Sequence, residues 1–348
     1  MRFLITGNMG YIGPVLISHL RQAYPGAQLI GLDRGYFAHA LTTPFALPEI
    51  QLDQQWYGDV RNCSHTMFQG IDGVIHLAAI SNDPMGKAFE QVTDLINRAG
   101  TLRIARLARE AGVKHFVFAS SCSMYGASDQ DLRDETSSLD PLTAYARSKV
   151  ASEQDLQTLA SDDFCVTALR FGTACGWSDR LRLDLVLNDF VATAHTTGRI
   201  EILSDGTPWR PLIHVEDMSR AMAWALQRET EMGPFVAVNV GRDDWNHQVK
   251  DLAKAVADVL PGTDVEINTQ AAPDKRSYRV SFAKYRQLAP DHQPQVHLEQ
   301  AIEGLKAGLD QMSFDQKNFR DGPFMRLNML RNHQQTGRLD AQLNWSER

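Results

Sequence analysis

With 348 residues, 43% hydrophobic and 22% charged, the chain has the make-up of an ordinary soluble globular protein able to bury a real core. The formal net charge of −7 and the lack of a basic stripe argue against a nucleic-acid coat, and no apolar run approaches the roughly 18 residues of a membrane span. Four separated cysteines, Cys63, Cys122, Cys165 and Cys175, form no CxxC pair. That pattern points to reduced thiols rather than a disulfide or zinc framework, so no metal centre is expected.

The N-terminal "MRFLITG" enters a strand-like run without signal-peptide layout, so a cytoplasmic location is expected. Short apolar runs follow in order: "RFLIT", "QLIGL", "GVIHLA", "HFVFAS" and "CVTALRF". Between them lie amphipathic stretches such as "LINRAGTLRIARLAREAG" from Leu95, closed by Gly112. This alternation predicts an α/β fold, a parallel sheet with helices on both faces. After about residue 172 the regularity fades into loops rich in Arg and Asp, "WSDRLRLD" and "SDGTPWRPLIHVEDM". Helices are expected near 216–228 and 246–259, and one more after "AAPDKRSYRV". In the tail 313–348, Phe324, Leu327 and Leu330 form an apolar series that fits a helix packed on its own fold or on a second subunit.

"TGNMGYIG" sets Gly7, Gly10 and Gly13, with Tyr11 and Ile12 between, after the first strand and at the start of a helical pattern. Glycines so placed permit a tight turn, a close backbone approach to a pyrophosphate and close helix–strand packing. The helix N-terminus adds free N–H groups and partial positive charge, and Pro14 is tolerated in its first turn. Asp33 ends the second apolar run 20 residues after Gly13. An acid there holds ribose hydroxyls and repels a 2′-phosphate, which favours NAD over NADP; Arg34 beside it leaves some room for NADP.

The spacing TGxxGxxG resembles the short-chain dehydrogenase/reductase superfamily in its extended form, which acts on nucleotide sugars. Further motifs match in order over residues 1 to about 285. "GDV", with Asp59 and Val60, resembles the adenine-contacting segment, and "HLAA", with Leu77, Ala78 and Ala79, the wall of the cofactor cleft. Asn97 holds the position of a helix asparagine that supports the active site, and it is grouped here with the cofactor residues. "YARSK" matches the YxxxK signature with Tyr145 and Lys149. "LRFGTACG", containing Phe171, resembles the strand and loop at the nicotinamide end. The resemblance implies a Rossmann NAD-binding domain over 1–172 with later segments near 210–245. A mainly substrate-binding α/β domain over 173–312 and a helical tail over 313–348 would follow.

Independently of that resemblance, oxidising a sugar alcohol needs a base, and a tyrosine with its ordinary pKa near 10 is a poor one at pH 7. A nearby lysine ammonium and the cationic nicotinamide favour phenolate. Tyr145 and Lys149 are four positions apart, so both project from one helical face. In "SSCSMYG", the family's hydrogen-bonding Ser or Thr lies four residues before the closing tyrosine, which is Ser121; Ser120 is expected to serve the backbone. The resembling 4,6-dehydratases carry Asp and Glu where this chain has Cys122 and Ser123, so dehydration by that route is disfavoured. The resembling 3,5-epimerases place an acid cysteine at the position of Ser123, one residue from Cys122, and Cys122 reads as a packed thiol.

On the substrate side, "RPLIHVEDM" resembles a segment whose arginine, here Arg210, clamps a nucleotide diphosphate. Arg180, Arg182, Asn188 and Arg276 are further candidate contacts, with Ser81, Asn82 and Thr173 around the glycan. Thr173 departs from the asparagine usual in galactose-type 4-epimerases, and Ser81 from a lysine often found there, so the sugar stays open. The resemblance implies an NAD-dependent epimerase of a nucleotide-diphosphate sugar, working through a transient ketone as a homodimer. The alternatives are net oxidation or reduction at the same carbon and, from another class, a non-catalytic NAD sensor, which would typically lose the YxxxK pair.

Overall fold

The computed structural model describes residues 1–127, 132–271 and 276–346. In chain order its strands are β1 (Arg2–Thr6), β2 (Gln28–Asp33), β3 (Gln54–Tyr57), β4 (Gly73–His76), β5 (His115–Ser121), β6 (Leu132–Arg133) and β7 (Cys165–Phe171). There follow β8 (Thr173–Cys175), β9 (Arg199–Ile202), β10 (Trp209–His214), β11 (Phe235–Val240), β12 (Asn246–Gln248), β13 (Asp264–Ile267) and β14 (Arg279–Val280).

Seven strands form one parallel sheet in the order β11-β7-β5-β4-β1-β2-β3. Strand β7 is buried along its whole length, as a strand covered on both faces must be, and "CVTALRF" is mostly apolar, with Thr167 and Arg170 buried among its apolar residues. One face packs on helices Thr101–Glu110 and Ala144–Leu159 through Ile104, Ala105, Ala108 and Leu156. The other packs on helices Gly13–Ala23 and Val215–Ala225 through Leu16, Ile17, Leu20, Met218 and Met222. Chain order reverses between β1 and β4, and their carboxyl ends open the crevice where such sheets bind ligands.

All five apolar runs are sheet strands. Two strands of the seven-stranded sheet escape that reading. "QQWY" of β3 is a polar, half-exposed edge, and "FVAVNV" of β11 returns the chain to the opposite edge from far downstream. The stretch from Leu95 does end with Gly112, at φ +81°, but it opens as a widened π-type turn over Leu95–Gly100 before the regular helix.

A separate apolar cluster gathers Leu187, Val191, Ile200, Leu212, Leu252, Val256, Ile302 and Leu305. The tail crosses between clusters: Phe314, Phe319 and Phe324 join this one, whereas Leu330, Leu339 and Leu343 join the core beneath the large sheet. Its apolar series thus packs on the chain's own fold. Only Arg326–Gln335 is α-helical among the tail's described residues; 347–348 lie outside them. Among the described residues no helix is long and apolar enough to cross a membrane.

Candidate active site

A cleft of about 1400 Å³ runs across the carboxyl ends of the large sheet. At one end, Gly7 sits at φ +75° with its Cα against the next strand's exit: a Cβ there would meet Ala78 N at 2.5 Å. A Cβ on Gly10 would lie 3.1 Å from Gly7 O. Helix Gly13–Ala23 starts at this point with no side-chain cap and no acid in its first turn, so its amides are free to meet an anion. Asp33 lines the cleft, its carboxylate accepting from Met9 N at 3.0 Å and Gly35 N at 2.7 Å. Burial raises its pKa, and these two amides act against that rise. The cradle therefore fits an NAD molecule, with the diphosphate over Gly7, Gly10 and Ile12 and a ribose at Asp33.

Arg34 is turned onto Asp59 at 2.8 Å, where Arg61 also pairs at 2.6 Å. Burial acts to raise the Asp59 pKa, but the Arg61 hydrogen bonds and both cations overcome it and hold the carboxyl low. Val60, Leu77, Ala78, Ala79 and Phe171 line the same cleft.

At its centre stand the catalytic candidates. Thr143 caps helix Ala144–Leu159 by accepting from Ala146 N at 3.1 Å, and its own hydroxyl donates to Asp83 at 2.7 Å. That cap sets Tyr145 one residue inside the helix, where Ser121 at the end of β5 favours its phenolate. Ser121 Oγ donates to Ser123 Oγ at 3.0 Å. Lys149 Nζ donates to Ala119 O at 2.6 Å and lies 5.7 Å from the Tyr145 ring centroid. Burial pushes the Tyr145 pKa up to about 12, opposed by Ser121 and Arg182. Burial likewise pushes Lys149 down to about 7. In this geometry Lys149 Nζ is held on Ala119 O, and desolvation outweighs Ser121 and Arg182, the groups that favour phenolate.

The far side is built on charge pairs. Arg182 Nη1 donates to Ser81 Oγ at 3.1 Å, its Nε to Asp184 at 2.8 Å, and Asn82 donates to Asp184 at 2.7 Å. Arg276 reaches Asp83 at 2.8 Å, and Thr173 and Arg210 line the same cavity.

Four sequence candidates, Gly13, Asn97, Asn188 and Arg180, do not line the cleft among the described residues. Gly13 is a packing glycine, since a Cβ there would stand 1.8 Å from Asn8 O. Asn97, grouped with the cofactor residues, braces from behind: it pairs with both Ile80 N and O at 2.8 and 3.0 Å and donates to Ser148 at 3.0 Å. Asn188 is fully buried and satisfied by Gly176 N, Arg182 O and the Tyr11 hydroxyl, so it shapes the substrate loop without facing it. Arg180 is buried against Glu49 and Ala38 O. Tyr11 lines the cleft, but its hydroxyl donates to Gly176 O at 2.6 Å, away from a ligand.

Ser120 corrects another expectation. Its hydroxyl donates to the buried carboxylate of Glu153, which also holds Arg170 at 2.7 Å, and Arg170 in turn donates to Tyr125 at 3.0 Å. Position alone hid this: Glu153 lies one turn after Lys149, on the same helix face, and only the fold brings Arg170 to it. Cys122 is buried beneath, its thiol donating to Arg170 O at 3.1 Å and pushed up in pKa by burial. Asp83 and Asp184, both lining the cleft, carried no sequence signal beyond their place in Asp-bearing loops.

A glycine-looped parallel sheet with a Ser–Tyr–Lys constellation at its carboxyl ends defines a dinucleotide-dependent enzyme of the short-chain dehydrogenase type. Residues 3–241 match the NAD dependent epimerase/dehydratase family, and the chain belongs to it. It is 27% identical over 286 residues to the dTDP-D-glucose 4,6-dehydratase of Mus musculus, covering 80% of this chain and 78% of that one. It is 32% identical over 250 residues to the UDP-glucose 4-epimerase of Streptomyces lividans, covering 65% and 72%. Among solved structures, MoeE5 in complex with UDP-glucose and NAD superposes with a TM-score of 0.75 at 23% identity, covering 89% of this chain and 99% of that one. The protein is thus an NAD-dependent enzyme of this family.

Proposed function

We propose that the protein is an epimerase of a nucleotide-diphosphate sugar, acting through a transient keto-sugar. The observation that carries this reading is the meeting of Ser121, Tyr145 and Lys149 at the centre of the cleft beside a pair, Cys122 and Ser123, that offers no carboxylic acid for eliminating water. Bound NAD supplies the acceptor and then the donor of a hydride. Tyr145 takes the proton of a ring hydroxyl while Ser121 holds that oxygen, and Tyr145 returns the proton once the other face of the sugar is presented. Lys149 fixes the base by its own anchor on Ala119 O. Arg210 and Arg276 are assigned to the diphosphate of the substrate, and Ser81, Asn82, Arg182 and Thr173 to the glycan. The domain division foreseen from the sequence and a homodimer complete the reading.

A screen of nucleotide sugars, followed by chromatography of the products, tests it. Two isomers should interconvert without net redox change, and Tyr145→Phe should bind the same sugars and interconvert almost none. A product lacking the elements of water would replace the reading with dehydration.

A further inference from the structure

The tail returns to the cleft and brings a cation with it. Arg326, first residue of helix Arg326–Gln335, is 1% exposed and lines the cleft. Its guanidinium lies 4.7 Å from the Phe37 ring centroid, and Nη2 donates to Arg180 O at 2.6 Å. Nη1 has no hydrogen-bond partner among the described residues. The charged neighbours do not compensate: Arg180 and Arg182 repel it, and the attracting carboxylate, Asp184, already accepts from Arg182 and Asn82. A buried guanidinium in such company is costly unless an anion joins it.

Two of its neighbours belong to the cofactor side, Phe37 after the Asp33 turn and Tyr11 in the glycine loop, and this favours the anion of a dinucleotide. The segment is held there from both ends. Leu183 N donates to Phe324 O at 3.0 Å, His333 donates to Tyr36 O at 3.0 Å, and Trp345 Nε1 donates to Arg34 O at 2.7 Å. We propose that Arg326 is a dinucleotide-binding residue supplied by the C-terminal segment, its guanidinium pairing with the diphosphate of NAD. A planar fork of donors suits that group, and the assignment holds whichever sugar the enzyme takes.

Arg326→Met keeps the apolar stem over Phe37 and removes the charge. Calorimetry on protein stripped of bound dinucleotide should show NAD and ADP weakened roughly tenfold to a hundredfold, with adenosine and UDP unchanged within about twofold. Unchanged ADP affinity, an equal loss for adenosine, or a loss confined to UDP each overturns the assignment. The unsubstituted protein gives a second reading. Amide exchange over residues 326–335 should slow with ADP and not with adenosine, and equal protection by both, or by neither, contradicts the proposal.

Discussion

Lys149 should weaken the protein it serves, and the size of that effect depends on pH. Its pKa falls from 10.5 to about 7 because folding buries the ammonium. Between those values the unfolded chain binds more protons than the folded one, so stability rises with pH across that window. Below pH 7 the full penalty is present, on the order of 5 kcal/mol, and above 10.5 it is gone. Integration gives a penalty of about 4 kcal/mol at pH 7 and about 2 at pH 9. Lys149→Met removes it, losing the Ala119 hydrogen bond, which offsets about 1 kcal/mol at either pH. Urea unfolding of both proteins, stripped of NAD, should show the variant the more stable by about 3 kcal/mol at pH 7, with the margin narrowing by about 2 kcal/mol at pH 9. Comparing the two proteins at each pH cancels the other titrating groups. A margin equal at both pH values would refute the burial argument, whatever the variant does to turnover.

Ser121→Ala should cut turnover roughly a hundredfold or more with the fold intact, as for loss of one transition-state hydrogen bond, whereas Cys122→Ser should leave turnover nearly unchanged. The reverse pattern in steady-state kinetics would make the thiol the reactive group. NAD should bind at least tenfold tighter than NADP by calorimetry, about 1.4 kcal/mol, because the Asp33 carboxylate that lines the cleft would repel a 2′-phosphate while Arg34 is held by Asp59; equal affinities would mean that Arg34 leaves Asp59 for a 2′-phosphate. Glu153→Gln should cost about 3–5 kcal/mol of unfolding free energy by stranding buried Arg170, and adding Arg170→Met should recover part of it. No recovery in the double variant would show that Ser120 and packing, not the charge pair, carry the loss.

The parts of the site legible in the sequence were those fixed by local geometry. Gly7, Gly10, Asp33 and the Tyr145–Lys149 spacing are strand-end or single-helix relations, and all five line one cleft. Relations across the fold were not legible. Asn97 and Asn188 have the right chemistry to touch a ligand, yet backbone groups from other segments saturate both. Glu153 meets Ser120 and Arg170 only because β5 and β7 are neighbours, and Arg326 reaches the cleft only because the tail folds back. The same holds for the sheet: its buried strands announce themselves by composition, but edge strand β3 is too polar, and β11 is set by a return of the chain.

The central claim is that one tyrosine removes and restores the same proton while the cofactor ends each cycle unchanged. Supplying the active nucleotide sugar labelled with deuterium at the reacting carbon, in the presence of excess unlabelled NAD, tests this most directly. The label should persist in the isomerised sugar, with no steady growth of reduced-nicotinamide absorbance. Loss of the label into the free dinucleotide pool, matched by stoichiometric reduction, would contradict epimerisation and make the enzyme a net oxidoreductase.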